Sequence, residues 1–183
     1  MLDPLVLKLV SIGFGLLFLL AAIHKLTALQ RFRATLTAYQ LMPAGLAAPM
    51  SILLPVLEAL LGAAWLLSFM PAHLAVVSAG LLASYTAGIA VNLLRGRIHI
   101  DCGCSMGSHA GRDQQLSWGL VSRNSLLIVA ALTATLPANG RTIGLIDYLT
   151  LVAGLLAIVL LYGAANQLLS NGAAIGTWRN RHD

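Results

Sequence analysis

Five long apolar runs, separated by short polar segments, dominate the pattern of this chain. They cover about residues 5–23, 46–70, 73–94, 116–136 and 143–169. Each run approaches or exceeds the roughly 20 residues that a helix needs to cross a bilayer. The runs are continuously apolar and lack the alternation of transmembrane strands. The pattern therefore predicts an all-α integral membrane protein, a bundle of about five transmembrane helices with a four-helix core plus one additional helix.

Composition supports the same class. Hydrophobic residues make up 58% of the chain and charged residues 9%, with a mean hydropathy of +0.85. Soluble domains have about 25% charged residues. We expect residues 1–183 to form a single transmembrane domain, so that any soluble partner comes to the membrane surface. The net charge of +5 lies mostly at helix ends, where lipid headgroups account for it, and it does not indicate a nucleic-acid partner.

The polar segment 95–115 contains both cysteines of the chain, Cys102 and Cys104, on either side of Gly103. A disulfide across one intervening residue closes a small, strained ring, and strained disulfides are the more oxidising ones. Gly103 has no Cβ and tolerates the backbone conformation that such a ring imposes. We therefore predict that this pair carries out thiol-disulfide exchange.

Charged neighbours bear on that chemistry. Arg95, Arg97 and His99 lie just before the pair, and nearby positive charge favours the reactive thiolate. Asp101 has the opposite effect and is instead a candidate proton acceptor during exchange.

Two other interpretations of the cysteines stay open. They can be small, inert residues, although their polar, glycine-flanked position argues against burial in an apolar core. They can also bind zinc, with His99, Cys102, Cys104 and His109 as two nitrogen and two thiolate ligands.

Two charged residues lie inside the apolar runs. Arg123 is about seven residues into the fourth run, roughly 10 Å from its start. An arginine at the centre of a membrane helix costs about 2.5 to 3.5 kcal/mol, so we expect it to have a partner. Glu58 is the acidic residue deep within a run. We predict a Glu58–Arg123 ion pair, either functional or serving helix packing alone.

His24 and Lys25 end the first run, and Asn92 lies near the end of the third. A histidine and a lysine at a helix end are commonly interfacial anchors. Beside a reactive dithiol they can instead contact a quinone headgroup that accepts electrons. Three tryptophans are predicted to lie in the interfacial aromatic belts: Trp65, Trp118 and Trp178.

Several of these motifs together resemble a known family. They are the stretch Asn92-Leu-Leu-Arg95-Gly96-Arg97, then Asp101-Cys102-Gly103-Cys104, then Ser117 and Arg123-Asn124, with His24-Lys25-Leu26 and Glu58 earlier in the chain. The set is similar to the methylamine utilisation (MauE) family, within the wider MauE/DoxX-like group of membrane redox proteins.

The resemblance implies a role in maturing methylamine dehydrogenase, whose exported small subunit contains several disulfides and a tryptophan tryptophylquinone. It also implies a thioredoxin-like partner of the MauD type. The implied active pair is Cys102 and Cys104. The implied supporting residues are Arg97, Asp101, Arg123 and Asn124. A non-catalytic scaffold or chaperone for the same maturation, with structural or zinc-binding cysteines, is the alternative.

The distribution of basic residues bears on which side of the membrane the cysteines face. In a five-helix topology the cysteine segment shares one side with Lys25, Arg31, Arg33, Arg95, Arg97, Arg112, Arg179 and Arg181. The opposite side has Lys8 and Arg141. The positive-inside rule then predicts cytoplasmic cysteines, in a reducing compartment. The alternatives are import of cytoplasmic reducing equivalents or a helix count that differs by one. We favour an inner-membrane protein with periplasmic cysteines, because Arg95, Arg97 and Arg123 have functional reasons for their positions.

Overall fold

The computed structural model describes residues 2–97 and 116–179, with only the backbone of Ala44, Asn166 and residues 169–179. The described residues form six helices: α1 (Pro4–Thr27), α2 (Leu29–Tyr39), α3 (Ala44–Leu66), α4 (Pro71–Leu94), α5 (Trp118–Leu132) and α6 (Leu145–Arg179). A 3-10 turn, Thr133–Thr135, continues α5. The prediction of an all-α membrane bundle is confirmed.

The number of spanning helices is close to the prediction. Four helices, α1, α3, α4 and α6, are long and apolar enough to cross a membrane. The fourth predicted run, 116–136, contains only the 15 residues of α5 and the 3-10 turn, about 28 Å in all. The count of five is therefore approximate, with four full spans and a shorter α5.

Neighbouring helices of the core run antiparallel. Gly15 of α1 lies against Gly62 and Leu66 of α3, and Gly62 in turn lies against Leu19.

The Trp65 indole of α3 donates a 2.9 Å hydrogen bond to Ser78 Oγ of α4. Trp65 has no exposed surface, so its assignment to the interfacial belt was wrong. Its indole N–H is satisfied inside the protein, which removes the need for water at the interface.

The α4 and α5 helices form the second closely packed pair. Leu74 and Ala75 share the main core cluster with Ala131 and Ala134. At the other end of the two helices, Ile89 packs with Leu116 and Leu120. The last turn of α4 and the first turn of α5 therefore lie side by side. We call this end of the bundle the cysteine end, since segment 98–115 connects α4 to α5 there.

The amphipathic helix α2 was not among the predicted elements, because its sequence is too polar to appear as an apolar run. Its buried residues are Phe32, Thr35 and Leu36, which recur at the spacing of one helix face. Phe32 and Leu36 pack with Ala47 at the start of α3. The α2 helix thus lies across the cysteine end of the bundle.

The α6 helix is peripheral and contacts chiefly α1. Leu9 of α1 approaches Gly154, and Lys8 Nζ lies 5.5 Å from the Tyr148 ring centroid. Near its start, Arg141 Nη2 donates a 2.6 Å hydrogen bond to Asp147. That hydrogen bond and the charge of Asp147 raise the pKa of the Arg141 guanidinium above its ordinary value.

The contact between α1 and α3 provides a test of the packing. A Cβ at position 62 would lie 2.9 Å from the backbone nitrogen of Leu19. We expect Gly62→Ala to force the two helices apart and to lower the free energy of unfolding by about 1 to 3 kcal/mol. The thermal unfolding midpoint of the purified protein in detergent is the measurement.

Gly80→Ala is the matched control, because nothing lies within 4 Å of a Cβ at that helical position. Its midpoint should stay unchanged or rise slightly, as alanine is the better helix former. Equal destabilisation by the two substitutions would contradict the close approach of α1 and α3.

Candidate functional site

A buried ion pair joins α1 to α3. The Lys25 ammonium contacts Glu58 Oε1, and the two side chains are 5% and 2% exposed. Tyr85 of α4 donates a 2.8 Å hydrogen bond to the same oxygen. Lys25 Nζ also lies 4.7 Å from the Tyr85 ring centroid and 5.3 Å from that of Phe32. Four helices therefore contribute to one polar cluster, which we call the Lys25–Glu58 cluster.

The direction of helical side chains explains why these residues meet. A side chain leans toward the N-terminus of its own helix. Lys25 lies in the last turn of α1 and so leans inward, away from the cysteine end. Glu58 belongs to the antiparallel α3 and leans toward that end. The two charges therefore approach each other from different depths of the bundle.

The predicted Glu58–Arg123 pair is wrong, because Glu58 is paired with Lys25. Arg123 belongs to α5, which packs on α4 rather than on α3. Its guanidinium lies 5.5 Å from the Tyr162 ring centroid of α6 and contacts Asn124 Oδ1 at 3.4 Å. Arg123 thus serves the contact between α5 and α6.

Lys25 is also not an interfacial anchor, since only 5% of it is exposed. The sequence pattern placed it at a helix end, where lysines usually reach the headgroups. Here α2 covers that end, and Phe32 lies over the ammonium. His24 is half-buried beside it.

The space beside His24 and Lys25 is too small for the predicted quinone headgroup. A gap lined by His24, Lys25 and Phe32 has a volume of about 10 Å³, enough for about one water molecule. A quinone ring does not fit there unless α2 moves away. Among the described residues, His24, Lys25 and Phe32 therefore leave no space between them for a quinone ring.

The second carboxylate oxygen of Glu58 is not engaged by Lys25 or Tyr85. Glu58 Oε2 is buried and has no hydrogen-bond partner among the described residues. Burying a charge is costly unless a partner compensates it. Lys25 and Tyr85 both act on Oε1, so the neutralisation of Glu58 depends on those two residues.

A polar stripe on α4 was missed in the sequence. Ser78, Tyr85 and Asn92 follow each other at intervals of seven residues, which places them on one face of the helix. Ser78 bonds Trp65 and Tyr85 bonds Glu58. The seven-residue spacing was the sequence signal that could have identified Tyr85 as a partner of the buried carboxylate.

The base of the cysteine segment is built from α4 and α5. Asn92 is fully buried, and its Nδ2 donates a 3.0 Å hydrogen bond to the Gly88 carbonyl. Its backbone carbonyl accepts a 3.0 Å hydrogen bond from Arg97 N. On α5, Asn124 is 4% exposed. Arg95 is exposed at the end of α4.

Most of the predicted thiol site lies outside the described residues. This concerns Asp101, Cys102, Gly103 and Cys104, together with His99 and His109 of the zinc alternative. In the part of the chain that the structure describes, no group of three histidine, cysteine or acidic residues is arranged to hold a metal.

The α2 helix connects the Lys25–Glu58 cluster to this base. Phe32 contacts Lys25, and Tyr39, seven residues later, packs with Ile89, Leu116 and Leu120. A Cβ at Gly88 would lie 3.8 Å from the Tyr39 ring. One short helix therefore touches both the buried charges and the packed pair of helices, α4 and α5, on either side of the cysteine segment.

Comparison with known proteins identifies the family. Residues 3–137 match the family described as methylamine utilisation protein MauE. The chain belongs to the MauE family. The match covers α1 to α5 with the cysteine segment and ends before α6. As a family member, the protein has a role in methylamine utilisation.

Individual MauE proteins match over most of their length. The methylamine utilization protein MauE of Paracoccus denitrificans is 33% identical over 96% of this chain and 97% of its own. The MauE of Paracoccus versutus is 34% identical over 91% and 88%. That of Methylorubrum extorquens is 35% identical over 89% and 87%. No solved structure matches the chain.

The buried pair of this MauE-family protein can be tested by a double-mutant cycle. Lys25→Met leaves the Glu58 carboxylate buried without its cation, which costs about 3 to 5 kcal/mol of stability. Lys25→Met combined with Glu58→Gln removes both charges and should recover most of that loss. Thermal unfolding midpoints in detergent give the comparison.

Lys8→Met is the control, since Lys8 is exposed near the other end of α1. It should change the midpoint little. Strictly additive losses in the double variant would rule out direct coupling between the two charges.

Proposed function

We propose that this protein is a membrane thiol-disulfide redox protein acting through Cys102 and Cys104. Its partner is a thioredoxin-like protein of the MauD type, and the pathway product is the disulfide-bonded small subunit of methylamine dehydrogenase. The observation that carries the proposal is the base of the cysteine segment. Ile89, Leu116 and Leu120 hold the last part of α4 against the start of α5, the two helices that segment 98–115 connects.

Such a base suits a dithiol that reacts with a soluble protein. Because α4 and α5 are packed together, the segment starts and ends at neighbouring points, and Arg95 is exposed at its start. Positive charge near a thiol favours the thiolate, which is the attacking form. The exposed end of α4 at Arg95 is accessible to a soluble partner, which supports exchange with a protein outside the membrane.

The reaction is a balanced exchange of two electrons. One cysteine thiolate attacks a partner disulfide, which forms a mixed disulfide and releases one partner thiolate. The second cysteine then attacks the mixed disulfide and releases the other. The result is an oxidised Cys102–Cys104 pair and a reduced partner, and the reverse sequence transfers electrons the other way. The relative reduction potentials set the direction.

We propose that the protein lies in the inner membrane with the cysteine end facing the periplasm, where protein disulfides persist. The burial of Lys25 against Glu58 supports this assignment, because a neutralised lysine does not act as a charge of the connecting loop. The arginines at the same end are exposed, so they can bind an acidic partner instead of fixing the orientation.

The test is a trapping experiment in intact cells. Cys102→Ser leaves Cys104 without its resolving thiol, and we expect it to accumulate a mixed disulfide with the thioredoxin-like partner. Non-reducing electrophoresis and mass spectrometry of the adduct are the measurements. A membrane-impermeant maleimide, applied with and without prior reduction, reports the side and the redox state together.

Ser105→Ala is the matched control, since it alters a neighbouring hydroxyl and retains both thiols. It should label as the unsubstituted protein does. Normal maturation of methylamine dehydrogenase in a Cys102→Ser/Cys104→Ser strain would exclude a catalytic dithiol. Bound zinc lost from either single variant would favour the scaffold alternative.

A further inference from the structure

The described surface of the cysteine end is strongly basic. Arg31 and Arg33 are exposed on α2, and Arg95 is exposed at the end of α4, with Arg97 half-exposed after it. We call these four residues the arginine face. The acidic residues of the described chain lie elsewhere: Asp3 and Asp147 are at the opposite end, and Glu58 is buried against Lys25. The described residues therefore leave the arginine face without an exposed carboxylate.

Packing of α2 determines which way its arginines point. Phe32, Thr35 and Leu36 face the bundle, and Arg31 and Arg33 lie on the two sides of this buried stripe, both exposed. The end of α2 lies against α4, because Tyr39 and Leu41 approach Gly88. The α2 arginines therefore belong to the same end of the bundle as Arg95 and Arg97.

The exposed side of α2 is built for water rather than for the hydrocarbon region. Its residues are Gln30, Arg31, Arg33, Ala34, Thr37, Ala38 and Gln40. Helices that lie in a membrane surface insert large apolar side chains such as Trp, Phe or Leu. In α2, Phe32 and Leu36 are already used in the core cluster with Ala47, and Leu29 at its start is half-buried. The outward side is therefore polar and open to water, with its two arginines accessible to a soluble protein.

We propose that the arginine face is a docking surface for an acidic patch on the soluble protein that exchanges disulfides with Cys102 and Cys104. The proposal rests on the proposed thiol-disulfide function and adds the charge of the partner to it. Complementary charge accelerates association and makes it sensitive to salt. The face includes Arg97, five residues before Cys102 in the chain, so a partner bound there is separated from the thiols by only a short length of chain.

The probe is a pair of short peptides, each with one cysteine in a mixed disulfide with thionitrobenzoate. One peptide is rich in aspartate and glutamate, and the other is neutral and of the same length. The full chain is reduced in phosphatidylcholine nanodiscs. A cysteine thiolate attacks the peptide sulfur, forms a protein–peptide disulfide and releases coloured thionitrobenzoate, which gives the rate.

We expect the acidic peptide to react about tenfold faster or more at low ionic strength, with the advantage lost at high salt. Arg31→Gln/Arg33→Gln should remove most of the advantage and leave the neutral-peptide rate unchanged. These two arginines are chosen because Arg95 and Arg97 lie near the thiols in sequence and affect their reactivity directly. Arg31→Lys/Arg33→Lys should retain most of the advantage.

Arg141→Gln, at the opposite end of the bundle, is the matched control and should leave both rates unchanged. Equal rates for the two peptides, in a protein whose neutral-peptide reaction is intact, would overturn the docking surface alone. Absence of reaction with either peptide would overturn the thiol function itself. An effect of Arg31→Gln/Arg33→Gln confined to nanodiscs containing phosphatidylglycerol would assign the face to lipid headgroups and overturn the proposal.

Discussion

The buried ion pair between Lys25 and Glu58 is the constraint on which the arrangement of this bundle depends. An isolated carboxylate in an apolar interior is prohibitively costly, and a single cation next to it makes the position tolerable. The pair also requires α1, α3 and α4 to hold one register, since Tyr85 must reach the same oxygen. Close contact between Gly15 and Gly62 supports the same register further along the interface of α1 with α3.

The same pair explains the position of α2. Lys25 lies so near the end of α1 that it would be open to water without a cover, and Phe32 provides one. An amphipathic helix held by its apolar face leaves its polar face outside. The helix that covers the buried lysine therefore carries Arg31 and Arg33 on the surface of the cysteine end. Burial of Lys25 inside the bundle thus determines the positive charge at that end.

The helical class and the long runs follow from the sequence because hydropathy and length report directly on the bilayer. The pairing of Glu58 with Lys25 could not be predicted from the sequence, because hydropathy does not show which helices are neighbours. Arg123 was the more conspicuous charge, deep in its run, whereas Lys25 looked like an ordinary lysine at a helix end. The α2 helix was missed for a related reason: only three of its residues are buried, and their spacing is short and easily overlooked in a polar segment. The cysteine pair, by contrast, is visible in the sequence without knowledge of the fold.

Charge asymmetry between the two ends gives the arginine face its significance. At the opposite end, Arg141 is paired with Asp147 and lies 3.6 Å from Asp3, so its charge is largely compensated. At the cysteine end Lys25 is compensated by Glu58. Among the described residues of that end the arginine face remains without a paired carboxylate, and by the positive-inside rule its charge opposes export of that end. A periplasmic cysteine end therefore implies that these arginines are retained for a function at the surface, and recognition of an acidic protein next to the thiols is a function that four such charges can perform.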